Sequence, residues 1–77
     1  RMLELVEYIA KSLVDEPGAV KVKESEGADG TITIELNVAE DDMGKVIGKQ
    51  GRIAKAIRTV VKAASAKGDK KYVVEIV

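Results

Sequence analysis

The segment Val46-Ile47-Gly48-Lys49-Gln50-Gly51-Arg52-Ile53-Ala54-Lys55-Ala56-Ile57 begins as an amphipathic helix and then breaks off. Apolar residues recur at helical spacing on both sides of the break. Gly48 and Gly51 fall between them, and each glycine inside a helix costs about 1 kcal/mol relative to alanine. The segment therefore reads as two helices joined at a tight corner, a short one stopping at Gly48 and a longer one restarting after Gly51. A helix that starts there leaves backbone N–H groups unpaired at its positively polarised end. Without a Cβ at either glycine, a phosphodiester is free to lie close against the Gly48 to Gly51 backbone, with Lys49, Arg52 and Lys55 adding positive charge. A plain helix–helix corner accounts for the same two glycines.

The rest of the chain sets the context of that corner. Leu3, Val6, Ala10 and Leu13 keep helical spacing over residues 2–14, with Leu5 and Ile9 widening the apolar stripe and Glu7 four residues before Lys11. Pro17 and Gly18 end this helix. The period then changes to two: Val20 and Val22 alternate with lysines in a strand to about Ser25. Gly27 to Gly30 supply a turn, and Ile32, Ile34, Leu36 and Val38 alternate with polar residues over 31–38. Glu40, Asp41 and Asp42 offer carboxylates to the start of the short helix. The longer helix turns Ile53, Ile57, Val60, Val61 and Ala64 to a core, lines another side with Arg52, Lys55, Thr59 and Lys62, and runs to Lys67-Gly68-Asp69. Residues 71–77 form a last strand suited to a buried place in a sheet.

Composition narrows the chemistry. Seventy-seven residues without cysteine or histidine make one small domain held by packing alone, and they exclude disulfides, zinc fingers and Ser-His or Cys-His catalysis. The acidic groups Asp15-Glu16 and Glu40-Asp41-Asp42 sit where helix termini explain them, no phosphate-loop motif occurs, and no enzyme, metal or cofactor is expected. No apolar run approaches the ~18 residues that span a bilayer, and the first segment lacks a signal-peptide pattern, so a cytoplasmic location is the expectation. The net charge is zero, yet residues 1–44 hold four Lys/Arg against eleven Asp/Glu, and residues 45–77 hold nine against two. A change from −7 to +7 at the glycine corner orients a polyanion onto the second half, or pairs the two halves within one chain or between two copies.

The stretch 46–57 resembles the signature of the KH domain, V-I-G-x-x-G-x-x-I-x-x-I, in both glycines and every apolar position. The element order is similar to the type II, or prokaryotic, KH arrangement, over the whole chain and at the size of the free-standing bacterial members. The resemblance implies an α+β type II KH fold, order α-β-β-α-α-β, with a three-stranded mixed sheet and three helices packed on one face. It further implies that the GxxG loop clamps the backbone of about four nucleotides of single-stranded RNA while the bases turn into an apolar groove. By position, Gly48, Lys49, Gln50 and Gly51 are the clamp, Arg52 and Lys55 its electrostatic support, and Lys45 a flanking contact. Val46 and Ile47 either line the groove or pack inward. The acidic 26–30 loop and the lack of aromatic residues near the clamp point to weak, salt-dependent binding with little sequence preference. The resemblance implies a homodimer or a second KH-containing protein as partner, and a role as RNA chaperone or post-transcriptional regulator. A protein-interaction module that uses the wide stripe of the first helix and leaves RNA untouched is the competing reading.

Overall fold

Strand β2 (Ile32–Asn37) buries every second residue. Ile34 and Leu36 are completely shielded from solvent and Ile32 nearly so, because the alternation puts all three on one face. The computed structural model places β2 in the middle of a three-stranded sheet and describes residues 1–68 and 70–77, with the backbone alone for Lys49. On one side β2 pairs antiparallel with β1 (Lys21–Glu26), Lys21 opposite Asn37 and Glu26 opposite Ile32. On the other it pairs parallel with β3 (Tyr72–Ile76), Ile32 opposite Tyr72 and Leu36 opposite Ile76.

The two pairings require different connections. The antiparallel pair closes through the predicted turn, where the Gly27 N–H donates to the Thr31 carbonyl (2.8 Å) and Gly30 takes a left-handed φ of 87°. The Thr31 N–H and hydroxyl both donate to the Asp29 carboxylate, at 3.0 and 3.1 Å, and hold its carboxyl below the usual carboxylate range. The parallel pair needs a crossover, supplied by α2 (Glu40–Ile47) and α3 (Arg52–Ser65). With α1 (Met2–Leu13), these helices lie on one face of the sheet, as the KH resemblance implies.

Val6 and Ala10 of α1, Val46 of α2 and Ala54, Ile57 and Val61 of α3 join Ile34, Leu36 and Val74 in one core. Glu7 and Lys11 form the expected ion pair at 3.1 Å. Several expectations need correction. Val60 and Ala64 face outward, because α3 meets the core along the narrower stripe 54–57–61. Leu13 is exposed, and Val14, just beyond the helix, is buried in its place. Helix α3 ends at Ser65, short of Lys67-Gly68, and Asp69 lies outside the described residues. β3 is an edge strand and buries only Val74 well. The start of β1 is covered by α1, whereas Glu24 and Glu26, on the helix side opposite Ile34 and Ile32, lie beyond that cover and stay exposed.

Leu36→Ala is expected to destabilise the domain by about 2–5 kcal/mol and Val60→Ala by about 0.5 kcal/mol or less in urea unfolding, since only the first empties a buried site.

Candidate nucleic-acid interface

Helix α2 has only eight residues and ends by turning two adjacent apolar side chains in different directions. Val46 is fully buried in the core, and Ile47 is 55% exposed beside the glycine loop. Of the two places left open for this pair, lining the groove or packing inward, Val46 takes the second and is corrected as an RNA contact: its side chain is shut away from any ligand by α1, α3 and the sheet. The reason lies in helical geometry, because successive residues point about 100° apart and only one of the two is able to face the core.

The two glycines turn out to be needed for different reasons. Gly48 is in extended backbone (φ −80°, ψ −173°) and its N–H donates to the Gly44 carbonyl at 2.7 Å. A Cβ on Gly48 would run into that same carbonyl oxygen, so a side chain here would push apart the last turn of α2. Gly51 has open space around it but takes a left-handed φ of 66°, the position from which α3 starts. Between them the Gly51 N–H donates to the Gly48 carbonyl at 2.8 Å, and Gln50 also takes a left-handed backbone, φ 64° and ψ 23°. That conformation costs a non-glycine residue about 1–2 kcal/mol. The loop therefore holds a conformation that its sequence alone would not choose.

What the loop presents is the start of α3. Among the described residues no side chain caps this helix, and no acidic residue stands in its first turn, whereas α1 has Glu4 there and α2 has Glu40, Asp41 and Asp42. The unpaired N–H groups and the positive end of the α3 dipole are thus left without a carboxylate of their own. Gln50, Arg52 and Lys55 are exposed around them. Lys45 is engaged elsewhere, its Nζ bonded to Asp15 Oδ1 at 3.0 Å. Lys49 belongs to the loop by its backbone, inside the turn that the Gly51 N–H closes onto the Gly48 carbonyl, and its side chain lies outside the described residues.

A second feature was legible in the sequence only in part. Lys55, Arg58 and Lys62 share one side of α3, leading away from the glycine loop at spacings of three and four. The last two border a groove of about 570 Å³ between α3 and β3, lined by Val61, Ala66, Tyr72 and Val74 and rimmed by Arg58, Lys62, Lys70 and Lys71. Its wall includes the free edge of the sheet. The Ile32 N–H donates to Lys71 O and the Val77 N–H to Leu36 O, so the parallel ladder turns the polar groups of Tyr72, Val74 and Ile76 away from β2. Arg58 Nε donates to one of them, the Val74 carbonyl, at 3.4 Å. The signal for Arg58 was its place between Lys55 and Lys62; the signal for Tyr72 was absent, because its proximity to α3 is purely tertiary.

A mixed sheet with β2 and β3 parallel, three helices on one face and a GxxG loop joining two of them define a KH domain of type II. Comparison narrows the class: the family model described as KhpA/KhpB, KH domain, matches residues 3–76, and the chain belongs to this family. It is similar to the RNA-binding protein KhpA of Clostridium perfringens, with 67% identity over 76 residues that cover 99% of this chain and 100% of the relative. The RNA-binding protein KhpA of Listeria monocytogenes is 53% identical, with 99% of each chain covered. That of Treponema pallidum is 49% identical over 96% of this chain and 91% of its own. In fold, the chain resembles part of Era in its crystal structure with MgGDPNP and nucleotides 1506–1542 of 16S ribosomal RNA. The TM-score is 0.60 at 24% identity, over 99% of this chain and 30% of that one.

Gln50→Gly is expected to stabilise the protein by about 0.5–1 kcal/mol by relieving the left-handed strain. Gly48→Ala is expected to cost about 1–3 kcal/mol through its collision with the end of α2. Urea unfolding followed by circular dichroism measures both.

Proposed function

We propose that the chain binds single-stranded RNA, with a phosphodiester seated on the backbone from Gly48 to Gly51. The observation that carries this reading is the uncapped, acid-free start of α3, held open by two glycines and a strained Gln50. Such a site accepts an anion and rewards close backbone approach. Arg52 and Lys55 flank the phosphate, the loop contributes Lys49 and Gln50, and Ile47 offers an exposed apolar surface beside it. The strand then follows Lys55, Arg58 and Lys62 toward the α3–β3 groove, where bases meet an apolar floor and the free N–H groups of the sheet edge. Support from a different direction comes from relatives of this length that are named RNA-binding proteins.

Affinity in this arrangement comes mainly from phosphates. Tyr72 is the one aromatic residue against the groove, so stacking adds little, and binding falls steeply with salt. Action as an RNA chaperone or post-transcriptional regulator follows from holding a strand without reacting with it. Lys45 joins the interface only by giving up Asp15, which makes it the weakest of the flanking contacts. Association with a second copy or with another KH-containing protein is favoured by the exposed Tyr8 (72%) and Leu13, on different sides of α1; the same exposed residues support the competing reading of an interaction module.

A Lys49→Asp/Gln50→Asp variant that stays folded by circular dichroism is expected to bind a labelled oligouridylate at least about tenfold more weakly at low salt, with a salt slope reduced by about one for each phosphate it no longer neutralises. Equal binding by both proteins would remove the clamp reading and leave the α1 face as the place of action.

A further inference from the structure

Asp42 is the one buried charged residue among those described, 1% exposed, and RNA has no access to it. Its carboxylate does not cap its own helix, as its place in the first turn of α2 suggests. Oδ1 accepts the N–H of Asp15 and Oδ2 that of Glu16, both at 3.0 Å and across more than twenty-five positions of sequence. These two N–H groups belong to the chain leaving α1, just past the buried Val14. One turn further along α2, Lys45 binds the Asp15 side chain at 3.0 Å. Two residues on one side of α2 thus grip the same short segment.

Burying a carboxylate is costly unless it is well bonded, and an apolar side chain would fill the space at less expense. What an apolar contact does not supply is direction. Two N–H bonds to adjacent residues fix where the first turn of α2 sits and how the helix is rotated, which matters for a helix of eight residues with one fully buried hydrophobic anchor, Val46. At the far end of this helix the N–H of Gly48 is bonded to Gly44 O, so the first residue of the loop moves with α2. Six residues of helix make a lever of about 9 Å, along which a 10° tilt displaces Gly48 by roughly 1.5 Å. A binding constellation loosened by that much loses its fit.

We infer that Asp42 is the positioning residue of the RNA clamp: through the N–H groups of Asp15 and Glu16 it orients α2 and thereby sets the Gly48–Gly51 loop for the phosphate. The inference rests on the proposed clamp. It makes α1's exit and the RNA site thermodynamically linked, so that RNA acts on Asp15 and Glu16 as they act on it.

The test uses NMR of the full chain with an oligouridylate as probe. In the unaltered protein, RNA is expected to shift the Gly48 to Gly51 amide resonances and to slow hydrogen exchange at the Asp15 and Glu16 amides. Asp42→Asn, which keeps the shape but replaces one acceptor with a donor, is expected to bind at least about fivefold more weakly after correction for the folded fraction, with shifted Gly48 and Gly51 resonances. Val6→Ala, destabilised in the core on α1 and outside both the loop and the α3–β3 groove, is expected to bind within about twofold of the unaltered chain, which separates positioning from a general loss of stability. If Asp42→Asn does not fold, the exchange rates of the unaltered protein decide. Resonance shifts in the loop without slower exchange at Asp15 and Glu16, or normal binding by Asp42→Asn, would overturn the positioning role and leave the clamp standing. No shift in the loop on addition of RNA would overturn both.

Discussion

The domain depends on β2 being paired on both sides in opposite senses. An antiparallel neighbour is reached by a short turn, and a parallel one only by a crossover. Because α2 and α3 form that crossover, they must return to the face where Ile32, Ile34 and Leu36 are buried. The position of the glycine loop follows from this. It is the corner of the crossover, held between a helix too short to be stable alone and one of 14 residues that carries most of the packing against β3.

Within the corner, sterics and electrostatics act in the same place. The absence of a Cβ at Gly48 preserves the end of α2, the left-handed Gly51 redirects the chain, and the start of α3 remains uncovered by any acidic side chain. The chain's acidic residues are concentrated before this point and its basic residues after it, so the local dipole and the formal charges attract the same ligand. The groove along β3 extends this positive surface from a point to a track.

Much of this was legible in the sequence. The alternation from Thr31 to Val38 located β2 to within a residue at each end, and Gly48 and Gly51 marked the corner, because both signals are local. The KH resemblance supplied the mixed sheet and its single helix-bearing face, which no period reveals, and the strand order came only with the structure. The misplaced residues share one cause. Val60 and Ala64 fit a helical stripe as well as Ile57 and Val61 do, and only the angle at which α3 lies on the sheet selects among them. Asp42 had a satisfactory local explanation as a carboxylate near a helix start; its true partners, Asp15 and Glu16, are distant in sequence. Arg58 and Tyr72 became neighbours of one groove only through the crossover.

A sheet with an open edge invites another chain to add a strand, and such additions are how small β-containing proteins polymerise. Here the hydrogen bond from Arg58 to the Val74 carbonyl interrupts the row of free backbone groups at its middle, and α3 with its lysines stands alongside. An incoming strand would have to displace a guanidinium and bring its own backbone against a line of positive charge. The residue that borders the groove therefore also hinders strand addition at β3, one of the two edges of this three-stranded sheet.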